Sequence, residues 1–189
     1  MTSQSGIILR RWRLEDVPHI MELQKQRKDG EPDTIDEPVF RKWIEEDNLV
    51  HGIVLTENGA VKGFITALIP KIHYATIFAL RVDENRRRHK FGTLLINRLF
   101  GEMALVGKNY LLINVDAQNT SALQFLTKKG DAFVITAQNE IYDESENLIE
   151  ASYELQCPAS AGFNPAHVRF FVNGEETVNP LLLKNALDQ

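Results

Sequence analysis

Among 189 residues there is one cysteine, Cys157. A lone thiol forms neither an internal disulfide nor a multi-thiolate metal site, and a reducing compartment fits. Near the end of a strand-like run, this cysteine reads as a small hydrophobe rather than a nucleophile. No stretch approaches the roughly 18 consecutive apolar residues needed to cross a bilayer, so no membrane partner is expected. The opening "MTSQSGIILRRWR" lacks the basic-then-apolar order of a signal peptide, and the expectation is a soluble, cytoplasmic protein. Positive charge is not in excess: 21 Lys+Arg stand against 26 Asp+Glu, for a net charge of -5. That balance argues against a general nucleic-acid binder, so any polyanion must be met locally. Internal repeats and low-complexity segments are missing as well.

What is present is apolar content of 43%, enough for one full core. Ile7 to Arg10 reads as a short strand, and Leu14, Val17, Ile20 and Leu23 recur at helical spacing up to about Lys28. "DGEPDTIDEP" has five carboxylates between Asp29 and Glu37 and is rich in turn formers, which predicts an exposed loop. Pro38 suits the first turn of a second helix with an apolar stripe of Phe40, Trp43 and Ile44. "VHGIVLT" and "VKGFITALI" flank Asn58-Gly59, a hairpin signal because a type I′ turn needs positive φ. With "HYATIFALRV" they predict three antiparallel strands in a row.

A helix follows, with Leu95, Leu99, Met103 and Val106 on one face, then the buried strand "YLLINVD". "NTSALQFLTKKG" is a helix with Asn119 as its cap and Gly130 at its C′ end. "AFVITAQNEIY" and "LIEASYELQ" are strands around the turn "DESEN". The order is β-α-α-β-β-β-α-β-α-β-β, a mixed α/β domain over residues 7–156. After it the pattern loosens: "VRFFVNG" reads as a strand and "PLLLKNALDQ" as a short amphipathic helix, within a C-terminal extension, 157–189, to which no role is assigned.

The segment "ENRRRHKFGTLL" concentrates Arg86, Arg87, Arg88, His89 and Lys90 just before a helix that begins near Gly92 and Thr93. A helix N-terminus leaves its first N–H groups unpaired and carries partial positive charge, which suits an anion. Gly92 permits close backbone approach, Thr93 offers a hydroxyl, and Arg side chains fork onto phosphate oxygens. A solvated charged turn is the plain alternative, but the loop follows a mid-sheet strand, where open α/β sheets form their ligand crevices. A nucleic-acid reading of "RRRHK" has only Phe91 as an interleaved aromatic.

The element order and "LRVDENRRRHKFGTLL" resemble the GNAT superfamily of acyl-CoA-dependent N-acetyltransferases. The family signature is Val-x-x-x-x-Arg-Gly-x-Gly-x-Gly/Ala followed by a helix. Val82, Arg87 and Gly92 match it in register, whereas Arg88 and Lys90 stand at the two inner glycines. "VDAQNTSALQFLTKKG" is similar to a second family segment through Asn119, Ala122, Phe125 and Gly130, with Leu126 where tyrosine is common and Asp131 where phenylalanine is common. The likeness spans about Ile7 to Gln156.

The resemblance implies a centrally splayed sheet of about seven strands flanked by about four helices, with acetyl-CoA as co-substrate and no metal. It implies that Leu80, Arg81 and Val82 lie on the strand that pairs with the pantetheine arm and helps polarise the thioester. It implies that the loop of Arg87, Arg88, His89, Lys90, Phe91, Gly92 and Thr93 holds the pyrophosphate, and that Asn119 lies beside the cofactor where two parallel strands part. The reaction implied is direct attack of a neutral amine. Phe78 occupies a position where many relatives place glutamate, and His51, His73 and Tyr74 are chemically capable of acting as a base, yet no catalytic side chain is assigned. The acidic loop would attract a cationic amine, a polyamine or a peptide amine. A GNAT-fold module that binds acyl-CoA or a partner protein without turnover is the alternative. A monomer or a homodimer is expected.

Overall fold

The computed structural model describes residues 6–26, 35–46, 49–70, 73–108, 110–127, 133–142, 148–158, 170–172 and 175–177. The elements are β1 (Ile7–Arg11), α1 (Val17–Lys25), α2 (Glu37–Glu46), β2 (Val50–Glu57), β3 (Ala60–Leu68), β4 (Tyr74–Val82), α3 (Phe91–Leu105), β5 (Tyr110–Asp116), α4 (Thr120–Leu126), β6 (Val134–Tyr142) and β7 (Leu148–Pro158). A short pair, β8 (Phe170–Val172) and β9 (Glu175–Thr177), follows. Seven strands form one sheet in the order β1-β2-β3-β4-β5-β7-β6, and β8 and β9 form a separate ribbon. Every neighbouring pair in the large sheet is antiparallel except β4 with β5, which is parallel. The expected order and the run β2-β3-β4 are thus present. The Asn58-Gly59 turn has φ of 53° and 82°, the positive values a type I′ turn demands.

Alternation along the strands divides the core between the two faces. On one face Ile53, Leu55, Ile65 and Ile77 pack with Leu95, Leu99 and Met103 of α3 and Leu126 of α4. On the other, Val54, Phe64 and Ala79 pack with Val17, Ile20 and Leu23 of α1 and Phe40 of α2. Trp12 lies so close over Gly52 that a Cβ there would fall 2.0 Å from its ring, so the β1–α1 connection is seated directly on bare backbone. Buried Gln24 clamps the entry to α2, donating to the Ile35 carbonyl at 2.9 Å and accepting from the Ile35 N–H at 2.8 Å.

Two apolar positions depart from the helical stripes expected of them. Leu14 is exposed in a 3-10 turn, because buried Asp16 accepts two bonds from Arg10, both 2.7 Å, and one from the Arg13 N–H at 2.8 Å, and so bends the chain before α1. Val106 is 59% exposed beyond the last turn of α3, where Gly107 adopts φ 75° and ends the helix. The acidic loop up to residue 34, Gly130, "DESEN" and "PLLLKNALDQ" lie outside the described residues.

Candidate active site

The parallel pairing of β4 and β5 stops at Ile77 with Ile113. Beyond that point β4 stays in register with β3 as far as Val82, and β5 stays with β7 as far as Asp116. The two central strands therefore splay into a wedge, as the resemblance implied. A bulge contributes: Ala79 opposes Thr66 and Ile77 opposes Ala67, which leaves Phe78 without a partner on β3. The bulge also reverses face parity, so that Ala75 and Ile77 share the α3 face with Leu80 and Val82, while Ala79 joins the α1/α2 face. Asp83 donates its N–H to Lys62 of β3 at 2.9 Å. By alternation, the N–H groups of Leu80 and Val82 point the other way, into the wedge.

The chain leaves β4 through a fastened corner. The Asp83 carboxylate accepts from Lys62 at 3.0 Å and from the Asn85 N–H at 3.0 Å. Burial alone would raise its pKa, but these bonds and the Lys62 charge hold it below the ordinary range. Arg86 is paired with Glu57 at 2.6 Å. The Arg87 guanidinium donates to the Gln26 carbonyl at 2.9 Å, and the Gln26 side chain accepts from the Glu84 N–H at 3.0 Å. Two of the five basic residues therefore hold the loop to its surroundings. Arg88, His89 and Lys90 are exposed, and among the described residues neither Arg88 nor Lys90 has an ion-pair partner.

Arg88 and Lys90, which replace the two inner glycines, both have φ of 65°. The left-handed conformation that favours glycine is thus kept by two side chains ill suited to it, at about 1–2 kcal/mol each. The loop keeps its shape and gains charge. Lys90 is the N-cap of α3 and gives no side-chain cap. Asn, Asp, Ser or Thr would normally satisfy the first N–H groups there. Among the described residues, the N–H groups of Lys90, Phe91, Gly92 and Thr93 have no acceptor. An uncapped 15-residue helix beneath two free cations fits a pyrophosphate, and the side of β4 that β5 leaves fits an extended arm running toward it.

Gly92 serves packing. A Cβ there would lie 3.0 Å from Cζ of Phe125, so its bareness lets α3 approach α4. Asn119 caps α4, its side-chain oxygen accepting from the Ala122 N–H at 3.1 Å, at the end of β5 on the far bank of the wedge. Leu126 is buried in the core. None of the alternative bases is on the wedge. His51 is paired with Glu102 of α3, and Arg98 holds the other carboxylate oxygen. His73 bonds the Tyr110 hydroxyl at 2.7 Å, and Tyr74 stacks on Tyr110, all at the start of β4 and β5, where the strands are still together. Two residues not foreseen are Gln26, which anchors the loop, and Trp43, which stacks on Phe78 with centroids 6.1 Å apart. The aromatic stripe of α2 was the available signal for Trp43; no local pattern marks Gln26.

A family model described as "Acetyltransferase (GNAT) family" matches residues 14–130. No match was found among curated proteins. Among solved structures, the chain is similar to the ribosomal-protein-S18-alanine N-acetyltransferase from Escherichia coli, at 19% identity and TM-score 0.67, over 87% of this chain and 100% of that one. It is also similar to a spermidine N-acetyltransferase chimera from Vibrio cholerae and hSSAT, at 18% identity and TM-score 0.67, over 84% and 98%. A third similar structure is yncA from Salmonella typhimurium, solved with its cofactor acetyl-CoA, at 19% identity and TM-score 0.65, over 82% and 95%. At these identities the likeness shows a shared fold. The family match spans more than half the chain, and the wedge and the uncapped helix lie within it: the chain belongs to the GNAT family of acetyltransferases, which use acetyl-CoA as co-substrate.

Proposed function

We propose that this enzyme moves the acetyl group of acetyl-CoA to a primary amine by direct attack within a ternary complex. The observation that carries the reading is the side of β4 that β5 leaves after Ile77, where the N–H groups of Leu80 and Val82 face the wedge and the strand leads directly to the uncapped start of α3. In this reading the N–H groups of Lys90 to Thr93 bind the pyrophosphate, with charge added by Arg88, His89 and Lys90. Arg87 fixes the loop from behind. Leu80 and Val82 present N–H groups to the pantetheine arm and to the carbonyl oxygen as negative charge builds on it, with Arg81 between them on the strand. Asn119 borders the wedge on the β5 side.

Attack requires the amine in its neutral form, and the departing thiolate has a pKa near about 8.5, so positioning supplies much of the rate without a fixed protein acid. The acceptor enters from the α1/α2 side, where exposed Asp36, just before α2, draws an amine in its cationic form. A second reading, a module that holds acyl-CoA without turnover, is favoured by one feature: Leu126 is sealed in the core where relatives often carry a phenol.

Two measurements test this. Acetyl-CoA at millimolar concentration should raise the unfolding midpoint. Thiol release across a panel of primary amines should then exceed the rate without amine. Stabilisation without amine-dependent release selects the binding module, and no stabilisation rejects both readings.

A further inference from the structure

We infer that the acyl acceptor carries an aryl or branched apolar group beside its amine, and that Trp43 and Phe78 form the wall that receives it. This deepens the acetyltransferase reading and rests on it. Phe78 is the bulge residue just past the last β4–β5 pair, and with β5 gone from its flank the ring is 45% exposed. It lies nearly parallel to Trp43 of α2, with 13° between the planes. Trp43 is in turn held edge-on by Phe40 at 5.6 Å, and Phe40 by buried Trp12 at 5.8 Å and Phe64 at 5.9 Å. A chain of aromatics from the core therefore fixes the exposed pair in place. Val39, 37% exposed and one turn before Trp43, widens the same face of α2.

An exposed apolar surface this rigid, about 7 Å along the strand from the Leu80 N–H, stands where the group next to the attacking nitrogen must lie. The two rings themselves offer an ammonium no carboxylate, only apolar surface. A free arylalkylamine and a peptide whose first residue is bulky and apolar share this chemistry.

The test compares 2-phenylethylamine, the peptide Phe-Gly-Gly and spermidine in the thiol-release assay at saturating acetyl-CoA. We expect kcat/KM for 2-phenylethylamine or the peptide to exceed that for spermidine by at least about tenfold. Whichever of the two is favoured identifies the source. Phe78→Ala should raise KM for the favoured amine about tenfold with little change in kcat, and Trp43→Phe should retain most of the preference. Preference for spermidine, or an unaltered KM in Phe78→Ala, overturns the inference. Tryptophan emission supplies a readout independent of turnover. A change on adding 2-phenylethylamine that is lost in Trp43→Phe, without thiol release, supports the wall and rejects the acetyltransferase reading. No change and no release reject the wall.

Discussion

Arg88 and Lys90 concentrate what is unusual in this chain. Each occupies a left-handed conformation at φ 65°, and each is exposed. Shape and charge are therefore separable by substitution. Arg88→Gly with Lys90→Gly should leave the unfolding midpoint unchanged or raise it, since about 1–2 kcal/mol of strain per residue is offset by about 0.5–1 kcal/mol of added chain entropy. The same double variant should weaken acetyl-CoA binding several-fold and flatten its dependence on salt, as read by titration at low and high ionic strength. An equal affinity in both proteins would mean that the side chains are bystanders. Gly92→Ala would ordinarily stabilise a helix by about 1 kcal/mol. Here the added methyl meets Phe125 at 3.0 Å. We expect a net loss of about 1–2 kcal/mol in chemical denaturation, recovered when Phe125→Leu makes room. At this scale the sequence was partly legible. The basic run and the helix start behind it could be read directly, but that Lys90 is the N-cap and leaves α3 uncapped, and that Gly92 faces α4, depend on a loop conformation and a helix contact that no spacing encodes.

At the scale of elements, the loop after β4 is tied to the end of α1 through Gln26, by the Arg87 guanidinium on one side and the Glu84 N–H on the other. The basic loop is thereby joined to the helix that leads into the acidic α1–α2 connection. Arg87→Ala removes a charge-assisted bond of about 1.5–3 kcal/mol. It should raise the acetyl-CoA dissociation constant about tenfold although Arg88 and Lys90 remain, and it should speed amide exchange over residues 84–93. Arg87→Lys should recover little, because its ammonium stops one bond short of the terminal guanidinium nitrogen that reaches the Gln26 carbonyl. Strands and helices were legible because alternation and helical spacing persist along them, and Asn58-Gly59 announced its turn. The bulge at Phe78 was not, because "ATIFALRV" is apolar on both faces and hides a change of parity. Leu14 was misplaced for a related reason: its spacing is helical, but the Arg10–Asp16 pair decides the local turn.

Across the whole molecule, β4 and β5 form the hinge of the architecture, with α3 and α4 on one face and α1 and α2 on the other. The His51–Glu102–Arg98 cluster bridges β2 and α3 at the end of the sheet remote from the wedge. Burial alone would raise the Glu102 pKa, but the His51 hydrogen bond and the Arg98 charge outweigh it and hold the carboxyl below its ordinary value of 4.5. A lowered pKa adds stability in full above the unfolded value, and that contribution is lost as pH falls through the folded one. Asp83 acts in the same direction. The unfolding midpoint should therefore drop below about pH 4.5, and Glu102→Gln should give a lower plateau with a flatter acid limb.

The central claim is that a loop without its inner glycines still offers main-chain N–H groups to a pyrophosphate. It is tested most directly by titrating the isotope-labelled protein with acetyl-CoA and following the backbone amide resonances. Saturable shifts at Lys90, Phe91, Gly92 and Thr93, together with Leu80 and Val82, are the predicted result. Saturable binding that leaves the amides of Lys90 to Thr93 unmoved would contradict it.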